Sequence, residues 1–121
     1  MHAMMMPLIL LFMVLTSGCA TLAKTETFAA CQAADAVTTV AVLGKGGAEA
    51  NPLMATIIAK YGYFGMFAVK AALVGLVYQA LRHNPDSNAV RTTVAVGSAI
   101  TCGVAAHNVG VLNSMTRDLV K

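Results

Sequence analysis

Four apolar runs, one short and three long, separated by short polar breaks, set the layout of this chain. The first is Pro7 to Leu15, PLILLFMVL. The second covers residues 27–43, TFAACQAADAVTTVAVL. The third runs from Leu53 to Leu81 and the fourth from Ala89 to Leu112. The breaks are Thr16–Ala20, Gly44–Pro52 and Arg82–Asn88, and Asn113–Lys121 forms a polar tail. About 20 apolar residues span a bilayer as a helix, and the last three runs reach or approach that length. The pattern therefore predicts an all-α fold, an integral membrane helical hairpin plus a third helix. One helical membrane domain occupies residues 19–121, with spans near 27–43, 53–81 and 89–112, after an amino-terminal segment 1–18.

The first run is short and ends in Thr16-Ser17-Gly18-Cys19-Ala20, the order of a secretory apolar core and its cleavage region. It resembles a bacterial lipoprotein signal, in which cleavage precedes a cysteine that becomes lipid-modified, so Cys19 is the candidate attachment site. Thr16 stands where that signal usually has leucine, and the leading MHAMMM lacks lysine and arginine. The competing reading is an uncleaved first membrane helix reaching to about Ala23.

In the second run, helical spacing brings Gln32, Asp35, Thr38 and Thr39 to one side and Ala30, Ala33, Ala34, Val37 and Ala41 to the other. A polar stripe on a membrane helix turns toward other helices or a wet cavity. A carboxylate at the centre of a bilayer costs roughly 2.5–3.5 kcal/mol on the insertion scale, so Asp35 needs a partner.

The next break is helix punctuation. Glycines at 44, 46 and 47 end one helix, and Asn51-Pro52 reads as the N-cap and first position of the next. Glu49 lies where a helix dipole favours an anion. The run that follows is too long for one straight span and allows two registers. A span from Leu53 would put Lys60 level with Asp35. A span bracketed by Lys60 and Arg82 would put Lys70 there instead, and it is preferred because both interfaces then carry a cation. Gly62, Gly65, Ala68, Ala72 and Gly75 are expected to let helices approach, as are Ala95, Ala99, Gly103, Ala106 and Gly110 in the last run.

Composition supports the membrane reading. Hydrophobic residues make up 58%, charged residues 11%, and mean hydropathy is +0.72, against roughly 25% charge in a soluble domain. The net charge of +3 is scattered, so no nucleic-acid partner is expected. Cys31 and Cys102 fall inside apolar runs and are expected as small packing residues. No metal-ligand spacing, phosphate loop or nucleophile with an evident base is present, so neither an enzyme nor a cofactor is expected. If residues 21–26 lie outside, the 45–49 loop lies inside, the 82–91 loop outside and the tail inside. Cations divide three against three across that arrangement and leave orientation to the signal alone.

Asp35-x-x-Thr38-Thr39, Gly44 to Gly47, Glu49-Ala50-Asn51-Pro52-Leu53 and a lysine in the next helix together resemble a group of small bacterial multi-span membrane proteins of unknown function. The likeness covers about residues 28–80 and implies a helical hairpin plus further helices, with Lys70 as the matching lysine. It implies no activity. The function expected is that of a non-enzymatic integral protein of the bacterial inner membrane, with a buried Asp35–Lys70 pair fixing helix packing. The alternatives are an oligomeric channel or transporter component and a phage-type protein for lysis or superinfection exclusion. Expected partners are the lipid bilayer, a second copy or another membrane protein.

Overall fold

The computed structural model describes residues 20–121. The first apolar run and Cys19 lie outside the described residues, and with them the signal and lipid-attachment readings. Three helices follow, α1 (Thr25–Gly44), α2 (Pro52–His83) and α3 (Asn88–Leu119). Each is long and apolar enough to cross a membrane. The chain is thus a helical membrane protein, a hairpin of α1 and α2 with α3 added on the other side of α1. Helix continues through the polar tail to Leu119.

α1 is the centre of the bundle, and α2 and α3 touch each other little. Its buried positions, Phe28, Cys31, Gln32, Ala36, Thr39 and Val42, recur at three- and four-residue spacing. That is the periodicity of one helix face. α3 packs parallel to α1: Gln32 meets Thr101, Thr38 meets Asn108 and Lys45 meets Thr116, at sequence separations of 69, 70 and 71. α2 runs antiparallel and brings Lys70 to Asp35.

The packing role expected for Cys31 and Cys102 gives way to a disulfide between them, closing a loop with a separation of 71 residues. Parallel helices in matched register bring the two residues to the same height, and their separation in sequence hides this.

The small-residue seam expected on α3 is also corrected. Ala99, Gly103, Ala106 and Gly110 are exposed, and a Cβ at Gly103 or Gly110 would meet nothing within 4 Å. The face turned to α1 carries Val94, Ser98 and Ala105, with Thr101 and Asn108 half-buried beside them. Polar side chains must be covered in a bilayer, and that requirement outranks the packing advantage of the smallest face. Close approach does occur at Gly97, where a Cβ would lie 3.4 Å from the Phe28 ring.

α1 ends in a Schellman motif. Gly46 takes the left-handed conformation at φ 86°, its N–H reaches the Leu43 carbonyl at 3.0 Å, and the Gly47 N–H reaches the Val42 carbonyl at 2.9 Å. The chain then runs back along the bundle. Gly47 lies against Val42 and Met115, and Glu49 and Ala50 line a cleft together with Thr39, Ile100 and Val104. The later part of the 45–49 loop therefore lies along the groove between α1 and α3.

α2 breaks at Gly62, whose φ 67° and ψ −167° are non-helical. Only glycine adopts that region readily, and a side chain there costs about 1–3 kcal/mol. The break is a fold-back. Ile57 and Gly65 would be about 12 Å apart in a straight helix, yet a Cβ at Gly65 would meet Ile57 Cγ2 at 3.1 Å. Gly62 and Gly65 thus serve the bend rather than an approach between helices, while a Cβ at Gly75 would meet nothing within 4 Å. The bend also settles the register. A straight α2 would put Lys70 about 27 Å beyond Pro52, whereas Asp35 is only about 14 Å from the end of α1. Folding residues 52–61 back removes the excess, so Lys70 meets Asp35 and Lys60 stays exposed beside the Tyr61 ring.

Candidate intramembrane site

Asp35 sits about halfway along α1, on the edge facing α2. Its Oδ2 lies 2.5 Å from Lys70 Nζ, and both side chains are largely covered, at 14% and 10% exposure. Lys70 also donates to Gln32 Oε1 at 3.0 Å. Gln32 in turn donates from Nε2 to Thr101 Oγ1 at 3.2 Å, and Thr101 donates to the Gly97 carbonyl at 2.8 Å. A chain of polar contacts therefore runs from α2 through α1 into α3.

A second branch closes the other side of the acid. Asn108 Nδ2 lies 3.1 Å from Thr38 Oγ1, 3.4 Å from Thr39 Oγ1 and 3.5 Å from Asp35 Oδ1. Thr38 itself donates to the Ala34 carbonyl at 2.9 Å. Each polar group of the stripe is thus paired inside the bundle, as a low-dielectric setting requires. Among the described residues, Ser98 Oγ is the buried side-chain atom without a partner.

The punctuation residues do more than start a helix. Asn51 caps α2 by accepting from Leu53 N–H at 3.0 Å and Met54 N–H at 3.4 Å. Glu49 Oε1 accepts from Asn51 N–H at 3.0 Å. Because the loop runs back along the bundle, these residues come level with the ion pair. Asp35, Lys70, Gln32, Thr39, Glu49, Asn51 and Thr101 all line one cleft of about 430 Å³, with Met54, Leu73, Ile100 and Val104 as its apolar walls. A neighbouring cleft of about 400 Å³ shares Thr39, Glu49, Ala50, Ile100 and Val104 with it.

A family model described as a domain of unknown function (DUF5658) matches residues 27–114. That is most of the chain, and it contains all of α2, nearly all of α1, most of α3, the ion pair and the cleft. The chain belongs to the DUF5658 family. No curated protein and no solved structure matches it. Within this DUF5658 chain, Asp35, Thr39, Glu49, Asn51 and Lys70 converge on one cavity, although they lie in two helices and a loop.

Sequence reasoning named Gln32, Asp35, Thr38, Thr39, Glu49, Asn51, Pro52 and Lys70, and missed Thr101 and Asn108. Thr101 is one residue from a cysteine in an apolar run, and Asn108 follows His107 near the helix end. Their signal was available: both lie on the Val94–Ser98–Ala105 face, at three- and four-residue spacing. His107, the more conspicuous neighbour, is exposed and lines only the second cleft.

Proposed function

We propose that this is a non-enzymatic integral protein of the bacterial inner membrane, and that the Asp35–Lys70 pair acts as a latch holding α2 to α1. The observation that carries the reading is the pairing of every group around the acid. Asp35 meets Lys70, Lys70 also meets Gln32, and Gln32 meets Thr101. A carboxylate kept as a reactant would need an exchangeable proton or an approaching substrate, whereas here neighbours occupy it from two sides. Cys19 serves as the lipid anchor in this reading if the amino-terminal signal is processed.

The disulfide supports an orientation that charge leaves undecided. Disulfides persist in oxidising compartments. Cys31 lies near the amino-terminal end of α1, on the side of the bundle that carries the 82–91 turn. That side faces outward, and the 44–47 turn and the tail face the cytoplasm.

Removing one partner of a buried pair typically costs about 3–5 kcal/mol, while replacing both by apolar residues can be neutral. Asp35→Ala should therefore lose folded, monodisperse protein in detergent, and Asp35→Leu with Lys70→Met should recover it. Equal yields from the single and double variants would remove the latch. The open cleft beside the pair favours a second reading, an oligomeric channel or transporter component with Gln32, Asp35, Thr39 and Lys70 on its polar path. Ion flux into liposomes that is lost in Lys70→Met would favour it.

A further inference from the structure

Glu49 carries a charge that the latch does not use. Among the described residues Lys70–Asp35 is the one ion pair, so those two charges cancel within the cleft wall. Lys45, the cation nearest to Glu49 in sequence, donates instead to Thr116 at 3.0 Å. The N–H of Asn51 orients the Glu49 carboxylate and leaves its charge in place. The cleft therefore holds a formal charge of minus one, level with the middle of α1 and between helices that cross a membrane. Such a charge is costly in an apolar slab unless a cation joins it.

We propose that the cleft binds an organic cation, an ammonium bearing apolar substituents, with Glu49 as its counter-ion. The walls select this class over a bare metal ion. Hard cations take six or more oxygen ligands; the cleft oxygens of Asp35, Gln32, Thr101, Thr39 and Asn51 already accept from Lys70, Gln32, Asn108 and the Leu53 N–H, and Met54, Leu73, Ile100 and Val104 add a thioether and aliphatic surface. A soft, adaptable surface of that kind suits the apolar part of an ammonium ion. About 430 Å³ falls within the range of small-molecule sites. Glu49 also lines the adjoining cleft, so substituents on two sides of the nitrogen have room. Gln32 accepts from Lys70 and donates to Thr101, and Thr101 donates to the Gly97 carbonyl, which leaves the ligand's charge to Glu49.

This goes beyond the latch reading, and the two fail separately. The latch fails in the folded yield of Asp35 variants, whereas the cation site fails in binding by folded protein. The test is equilibrium dialysis of benzyltrimethylammonium against the full chain in nanodiscs of neutral phosphatidylcholine. Saturable binding is expected, weakened at least tenfold in Glu49→Gln. That variant keeps the amide oxygen for Asn51 N–H, so it should elute as the parent does and retain the Cys31–Cys102 disulfide. Glu26→Gln makes the same charge change outside the cleft and should bind as the parent does. Val104→Phe fills the cleft from α3 without touching a charge and should also weaken binding. Equal binding by Glu49→Gln, full competition by neutral benzyl alcohol, full competition by sodium at the probe's concentration, or no saturable binding would each overturn the proposal.

Discussion

Along the seam between α1 and α3, the Phe28 ring packs on Gly97, Cys31 is bonded to Cys102, and Gln32 and Asn108 make side-chain bonds between the helices. Along the seam between α1 and α2, contact is sparser and centres on Lys70, which meets Asp35 and Gln32. One seam combines close packing, neutral hydrogen bonds and a covalent link. The other depends on a charged pair whose value is set by its surroundings. Removing a neutral contact from the first seam leaves many others. Removing one charge from the second leaves its partner buried and unmatched. The hairpin partner that follows α1 directly in sequence is thus held by fewer contacts than the helix that arrives last.

The largest effect should come from breaking the charged seam alone. Asp35→Ala is expected to cost about 3–5 kcal/mol, and the loss should fall on α2. Limited trypsin digestion in nanodiscs would show this. Cleavage at Lys60 and Arg82 should accelerate in the variant, while fragments containing α1 and α3 remain joined on a non-reducing gel through Cys31–Cys102. If Lys24, Lys45 and Arg91, at the ends of α1 and in the first turn of α3, are cut as much faster as Lys60 and Arg82 are, the two seams form one cooperative unit and the contrast is wrong.

Breaking the covalent seam should cost less. The chain-entropy account gives about 4 kcal/mol for closing a loop of this length, taking the separation of 71 residues. Helices already confined by a bilayer have less freedom to lose, so about 2 kcal/mol is the expectation for Cys31→Ser with Cys102→Ser. The thermal midpoint in detergent should fall, yet Lys60 and Arg82 should be cut at close to the parental rate before unfolding. Faster cutting there at low temperature would mean that the disulfide also holds α2.

The spans and the polar stripe were legible because each is a local pattern. Apolar length marks a membrane helix, and three- to four-residue spacing collects Gln32, Asp35 and Thr39. Lys70 could be singled out because a buried acid demands a base. What escaped the sequence reading depends on where helices stand relative to one another. The Cys31–Cys102 bond follows from the parallel register of α1 and α3, which no local pattern encodes. The stripe from Ala99 to Gly110 was a sound pattern for a seam, but Ser98, Thr101 and Asn108 compete for the same interior and win. Gly62 reads as one more small residue, and only its backbone conformation reveals that it folds α2 back. That bend, with the Schellman turn at Gly46, brings Glu49 and Asn51 into one cleft with Asp35, where the sequence alone placed them only at the start of a helix.

The smallest expected effect tests whether hydrogen bonds in the packed seam act individually. Gln32 Nε2 bonds Thr101 Oγ1 at 3.2 Å, while Gln32 Oε1 serves Lys70 in the other seam. Thr101→Val removes the acceptor and keeps the shape, and Gln32→Leu removes both of the amide's bonds. Interhelical side-chain hydrogen bonds in membranes average about 0.6 kcal/mol, up to about 1.7. A double-mutant cycle of these two substitutions, read from reversible unfolding in mixed micelles, should return about 0.6 kcal/mol of coupling. Gln32→Leu alone should cost more than Thr101→Val, because it also strips a partner from Lys70. Equal costs for the two single variants would mean that Lys70 needs only Asp35, and that the charged seam is energetically independent of the packed one.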